Sequence, residues 1–240
     1  MPKGGNFMPI MDIHSHTYYS RCGRDQFEQI IEAAIDGGVE LFGISDHNYG
    51  VGDRIEEYRA KQAEMREKYK DRIRVLSGFE ICTLKDPALV GYTYDYPLSR
   101  LEGFDYVLVE NIHDERSVWG LDLPEMRKDF PCRVGIAHTD LIGLARQLGE
   151  DPTAFLRRFA EKDIFWEMNV SYDSIHNYRE HAYVKRVFAD EALQDTLRKS
   201  GVELSVGFDG HRVGDYRPDR VRDACEKLEA LGLPRVSFGE

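Results

Sequence analysis

Short apolar runs alternate with amphipathic or charged stretches along almost the whole chain. The runs at 9–13, 39–45, 73–79, 104–109, 133–137, 164–168 and 202–206 are nearly continuous in apolar residues. That is the pattern of strands covered on both faces, as in a parallel sheet. Helical patterns lie between them. Over 26–35, Phe27, Ile30, Ile31, Ala34 and Ile35 recur at helical spacing, and Gly37-Gly38 closes the segment. Residues 55–70 read as a strongly charged helix, 152–161 as a helix with an early proline, 178–200 as helical, and 218–231 as a last helix closed by Gly232. Alternating strands and helices predict an α/β fold. About seven strand–helix units predict a distorted (β/α)7 TIM-like barrel, one unit short of the common eight. The stretch 83–100, with Pro87, Gly91 and several tyrosines, fits neither pattern and reads as a long loop over the mouth. No repeat, low-complexity tract or long linker interrupts residues 1–240, so one domain is expected.

The residues standing where the strands stop point to chemistry. Six of the 8 histidines are there: His14 and His16 in Asp-Ile-His-Ser-His, His47 after Asp46, His113 in Asn-Ile-His-Asp, His138 in Ala-His-Thr-Asp, and His211 in Asp-Gly-His. Glu80 follows the third run, and Asp209 the seventh. Each has a plain reading alone: Asp46 suits a helix N-cap, and Glu80 an exposed strand end. Together they place imidazole or carboxylate at the ends of several strands. In a barrel, such ends converge on one mouth and suit a site for several metal ions. His14 and His16, two apart, face the same side of a strand and can reach one ion, with Asp12 able to orient a ring from behind. His176 and His181 fall outside this series.

Composition narrows the partners. The net charge of -11, from 43 acidic and 32 basic residues, opposes binding to a polyanion, so a long nucleic acid is disfavoured while a small anion is not. No apolar run approaches the ~20 residues that span a bilayer, and Met-Pro-Lys-Gly-Gly-Asn-Phe lacks the apolar core of a signal peptide; a cytoplasmic protein is expected. Cys22, Cys82, Cys132 and Cys225 form no Cys-x-x-Cys pair, which argues against a zinc ribbon or redox motif.

The series His14-x-His16, Asp46-His47, Glu80, His113, His138 and Asp209-x-His211, in that order, resembles the polymerase-and-histidinol-phosphatase (PHP) domain family. Ala-His-Thr-Asp-Leu-Ile (137–142), Glu-Met-Asn-Val-Ser (167–171) and Gly-Phe-Asp-Gly-His-Arg (207–212) are similar to segments of its histidinol-phosphatase branch. The resemblance implies a distorted barrel with two or three divalent ions, Zn, Mn or Fe. It implies one ion on His14, His16, Glu80 and Asp209, a second on Glu80, His113 and His138, and a third on His47 and His211. The third site implies a further ligand six positions past His16, where many members carry histidine and this chain has Cys22. Thiolate is a good zinc ligand, so Cys22 is a candidate, with Asp25 behind it.

Paired ions can share a hydroxide and activate it near neutral pH, which suits hydrolysis of a small phosphate monoester such as histidinol phosphate. Glu80, Asp209 and His211 are the expected catalytic groups. Arg21, Arg116 and Arg212, beside ligand candidates, offer forks that match phosphate oxygens; Arg24, Arg54 and Arg146 are secondary. Tyr18, Tyr19, Tyr49 and Trp119 suit either the mouth or the core. Competing readings are a 3′–5′ exonuclease or nucleotide phosphodiesterase, a non-catalytic PHP scaffold, and a C–N hydrolase.

Overall fold

The computed structural model describes residues 8–239 other than 90, 92, 94 and 172–181. Among these residues are seven strands, all parallel and in sequential order: β1 (Met11–Asp12), β2 (Leu41–Ile44), β3 (Arg74–Cys82), β4 (Tyr106–Glu110), β5 (Arg133–Ile136), β6 (Ile164–Asn169) and β7 (Leu204–Gly207). The ring closes where β7 meets the residues following β1. Ile13 N donates to Val206 O (3.0 Å), Asp209 N to His14 O (2.7 Å) and His16 N to Gly210 O (2.8 Å). Buried Asp12 clasps this seam: its carboxylate accepts from Phe208 N at 3.0 Å, His14 N at 3.2 Å and the Tyr216 hydroxyl at 2.8 Å. Burial pushes its pKa up to about 6 against those bonds. Asp12 therefore holds backbone rather than an imidazole ring.

The helices form where the periodicity places them. Helix α1 (Phe27–Asp36) buries Phe27, Ile30, Ile31 and Ala34 on one stripe, and Gly38 at φ 75° ends it. A four-residue turn, α2 (Asn48–Val51), follows His47. Helix α3 (Ile55–Tyr69) is mostly charged, yet Ile55, Tyr58, Gln62, Met65 and Tyr69 are buried along one face. Gln62 Nε2 donates to Ile44 O and Gly78 O, each at 3.0 Å, and so ties α3 to β2 and β3. Short α4 (Leu123–Met126) and α5 (Leu141–Gln147) had no clear periodic signal because each spans fewer than about three turns. Helix α6 (Pro152–Ala160) starts on proline behind an Asp151 cap, whose carboxylate accepts from Ala154 N at 2.9 Å. Helices α7 (Ala182–Ala189) and α8 (Glu191–Ser200) divide at Asp190, which caps the second; α9 (Pro218–Ala230) is the last.

Aromatic rings fill the barrel against glycines. Tyr106 spans the interior and donates its hydroxyl to Ile13 O at 2.6 Å. A Cβ at Gly43 would lie 2.1 Å from that hydroxyl, and one at Gly78 would lie 2.3 Å from the ring. The base, at the strands' N-terminal ends, is sealed by the C-terminal tail. Phe238 packs on Tyr106 and Phe165 with ring centroids 5.5 and 6.0 Å away. Arg74 Nη1 donates to Phe238 O at 2.8 Å and Arg133 Nη1 to Ser237 O at 2.5 Å.

One expectation changes and one gains detail. β3 does not stop before Glu80: it runs to Cys82, because Ile81 and Cys82 still pair with Val109 and Glu110 of β4. Within 83–100, Tyr96 turns into the core beside Phe79 (5.4 Å) and Thr93 O accepts from Asn48 Nδ2 (3.1 Å). The segment remains a loop, and these residues tie it to α2, which follows His47. Among the described residues no helix is long and apolar enough to cross a membrane.

Candidate metal centre

The C-terminal ends of the strands bring together His14, His16, His47, Glu80, Glu110, His138, Asp209 and His211, all buried. Their ligand atoms form four groups of three, each within 4.8 Å: His16/His47/His211, His14/His138/Asp209, His14/His16/Glu80 and His47/Glu80/Glu110. Glu80 is the hub. Its Oε1 lies 3.4 Å from His14 Nε2 and 3.2 Å from His138 Nε2. Its Oε2 lies 2.8 Å from His47 Nδ1 and 3.5 Å from His16 Nε2. Each oxygen thus faces a different pair of imidazoles. Asp209 Oδ1 lies 3.0 Å from His16 Nε2 and 3.5 Å from His14 Nε2.

The backs of the rings are fixed. His14 Nδ1 meets Glu167 Oε1 at 2.6 Å, and His211 Nδ1 donates to the Asp209 carbonyl at 2.8 Å, which turns both Nε2 atoms inward. Asp46 supports from behind: its carboxylate accepts from Thr17 N (2.7 Å), the Thr17 hydroxyl (2.7 Å) and Ser20 N (3.0 Å), holding the loop after His16. Of the Asp46-His47 pair, His47 enters the cluster. Asp209 sits at φ 58°, a left-handed conformation that Asp tolerates better than most residues.

Inside the cluster ring nitrogens stand at close range to one another and to carboxylate oxygens. His14 Nε2 and His16 Nε2 are 3.2 Å apart. His47 Nδ1 and Glu80 Oε2, though close, form no aligned hydrogen bond. Burial opposes charge on His14, but Glu167, Glu80 and Asp209 hold its pKa well above the usual imidazole range. Burial likewise opposes charge on His47, and Glu80 overrides it. His16 is pushed down by burial and by His47. Burial would raise Glu80, yet His47, His14 and His138 hold it well below the carboxylate range. Buried imidazole nitrogens and carboxylate oxygens converging at one mouth are the donor set of divalent cations, which bind as the rings give up their protons, and the residues present fit that group.

Several candidate residues stand elsewhere. His113 is exposed, with Nδ1 3.4 Å from the Thr139 hydroxyl, and joins none of the four groups. The physical reason is the turn after β4: Asn111 at φ 64° reverses the chain and Ile112 takes the buried position, carrying His113 outward. Glu110, the last residue of β4, occupies the place instead, 3.3 Å from His47 Nδ1 and 3.8 Å from His138 Nε2. The rule applied to Glu80, a carboxylate ending an apolar run, would have found it. Cys22 is half-buried near His47 and enters none of the groups of three. Asp25 accepts from Val213 N at 2.6 Å.

Arg21 and Arg212 are exposed. Arg116 is exposed and turned onto Asp114, with contacts of 3.0 and 2.8 Å, and pushes that carboxyl down to about 2. Arg54 binds Gly50 O at 2.9 Å and stacks on Tyr19. Tyr49 stacks on His47 at 4.6 Å, whereas Tyr19 and Trp119 belong to the core and Tyr18 is exposed. His176 and His181 lie outside the described residues.

A PHP domain model matches residues 12–231, which span every ligand candidate above. The chain belongs to the PHP domain family. No curated protein matches it in sequence. Among solved structures, this PHP chain is similar to the histidinol phosphate phosphatase of Lactococcus lactis subsp. lactis complexed with zinc, L-histidinol and phosphate. The TM-score is 0.60 at 16% identity, covering 95% of each chain. It is also similar to a structure from work on YwqE of Bacillus subtilis and CpsB of Streptococcus pneumoniae, metal-dependent tyrosine phosphatases. There the TM-score is 0.53 at 18% identity, covering 90% of this chain and 86% of that one. Identities this low bear on the fold: both likenesses agree with the seven-stranded parallel barrel.

Proposed function

We propose that this PHP domain is a single-domain, metal-dependent phosphoesterase acting on a small phosphate monoester, with histidinol phosphate the first substrate to test. One observation carries the reading: four overlapping groups of buried ligand atoms share His14, His16, His47 and Glu80, the arrangement of a polynuclear rather than a single-ion site. His14, His16, Glu80, His138 and Asp209 would hold ions on the seam side, with His47, Glu110 and His211 on the other, and Cys22 beside His47. When bound, two or three divalent ions (Zn, Mn or Fe) supply an activated water and offset charge building on the phosphoryl oxygens. Glu80 keeps its two oxygens turned to different imidazole pairs. Asp209, anchored through its backbone to His14 O, sets the spacing between β7 and His14. His211 presents Nε2 because its own chain's carbonyl occupies Nδ1. Arg21 and Arg212, exposed beside ligand residues, are available to meet substrate oxygens; Arg116 must leave Asp114 to do so. A net charge of -11 agrees with a small substrate over a polyanion.

The test is phosphate release from a phosphomonoester panel including histidinol phosphate, with Mn or Zn supplied. Release that chelation abolishes and metal restores is expected. Metal-loaded protein that trims single-stranded DNA rapidly while leaving every monoester intact would replace the reading with a phosphodiesterase.

A further inference from the structure

Glu167 lies in the middle of β6, is wholly buried, and belongs to none of the four groups of ligand atoms. Both of its oxygens are nevertheless engaged. Oε1 meets His14 Nδ1 at 2.6 Å. Oε2 accepts from the backbone N of His138 at 2.8 Å and from Asn169 Nδ2 at 3.3 Å. One carboxylate therefore reaches His14, two residues past β1, and His138, two residues past β5. His138 has a φ of 20°, and its ring stacks on His14 with centroids 5.7 Å apart. These two rings, with Asp209, form one of the groups of three. The neighbouring strand makes room: a Cβ at Gly207 would stand 2.0 Å from Glu167 Oε1 and 2.6 Å from His14 Cβ. Strand β6 is braced in turn. The Tyr183 hydroxyl donates to Glu167 O at 2.8 Å, and Trp166 Nε1 donates to Thr139 O at 2.8 Å.

We infer that Glu167 is a positioning residue of the metal centre, fixing the tautomer of His14 and the backbone of His138 so that both offer Nε2 to one ion, with Gly207 as the notch that admits it. The inference rests on the metal-dependent reading above. A carboxylate behind a ligating imidazole locks the ring and raises its basicity, and its loss costs about 10- to 100-fold in metal affinity. An amide cannot substitute here. His14 Nδ1–H and His138 N–H each need an acceptor, and Gln supplies only one oxygen.

The test titrates Mn²⁺ and Zn²⁺ separately into metal-free wild type, Glu167→Gln and Gly207→Ala. It follows bound metal per chain, and the melting temperature with and without metal. Expected for both variants are a roughly 10- to 100-fold weaker affinity for at least one ion and a smaller metal-induced rise in melting temperature. The double variant should be little worse than either single one. Equal metal affinity in Glu167→Gln, with melting lowered alike with and without metal, would reduce Glu167 to a brace of the fold. Long-range ¹⁵N–¹H histidine spectra of loaded wild type need no variant: His14 should show a protonated Nδ1, and metal on Nδ1 would overturn the inference. Wild type that takes up no divalent ion would sink the functional reading as well, whereas wild type that loads normally beside an unaffected Glu167→Gln sinks this one alone.

Discussion

The mouth and the base of this barrel are the two ends of the same seven strands, and their polar groups are arranged oppositely. At the base each cation has an acceptor. Arg74 and Arg133 reach carbonyls of the tail, and Arg133 also meets Asp163 and Glu203, each at 2.7 Å. Phe238 closes the floor. At the mouth, carboxylate oxygens and imidazole nitrogens crowd together, with His14 and His16 nitrogens 3.2 Å apart. The base pairs its charged groups with carbonyls and carboxylates, whereas the mouth gathers ligand atoms into one buried cluster. Local conflict of that kind marks function, and local agreement marks stability.

Breaking the mouth should have the largest effect. Glu80→Gln removes the charge facing four imidazoles, and phosphate release should fall by roughly 10³-fold or more, with bound metal lost. The metal-free variant should also melt below metal-free wild type, because the buried imidazoles lose the carboxylate that faces them. Full metal content in this variant, measured by elemental analysis, would show that Glu80 is not the hub.

Breaking the base should give the converse. Phe238→Ala removes a buried ring and should cost about 3 kcal/mol in denaturant unfolding, with metal per chain unchanged. Loss of metal without loss of stability would mean that the two ends are not separable.

The smallest effect sharpens the contrast without disturbing it. Cys22 near the mouth is half-buried, whereas Cys132, just before β5 at the base, is buried, and burial pushes its thiol up to about 12. Burial raises Cys82 to about 12 and also raises Cys225. A thiol reagent at pH 8 should modify one thiol per folded chain within minutes, at Cys22, and a bound divalent ion should slow it if that thiol ligates. Rapid modification of Cys132 would mean that the base opens.

Much of this was legible in the sequence. Buried parallel strands need apolar residues at nearly every position, so each strand announced itself, and polar side chains where a run ends are visible as interruptions. The fold and the crowding of His14, His16, His47, Glu80, His138, Asp209 and His211 follow from that. Glu110 was within reach of the rule that found Glu80, but Glu167 was not: a single acidic residue inside an apolar run looks like an exposed position, and only the closed barrel shows it to be buried. His113 was placed in the cluster because spacing cannot reveal a left-handed turn. Asn111 adopts one, and two residues later the chain faces outward. The short α4 and α5 hold too few residues for periodicity to separate them from loops.

The floor sealed by Phe238 bears on how the protein matures. Since nothing in that seal involves the ligand cluster, the polypeptide can finish folding as an empty cup and receive its ions afterwards. Depletion and refilling should then be reversible in a folded chain, and any ions bound there would reflect what its surroundings supply rather than what was present during synthesis.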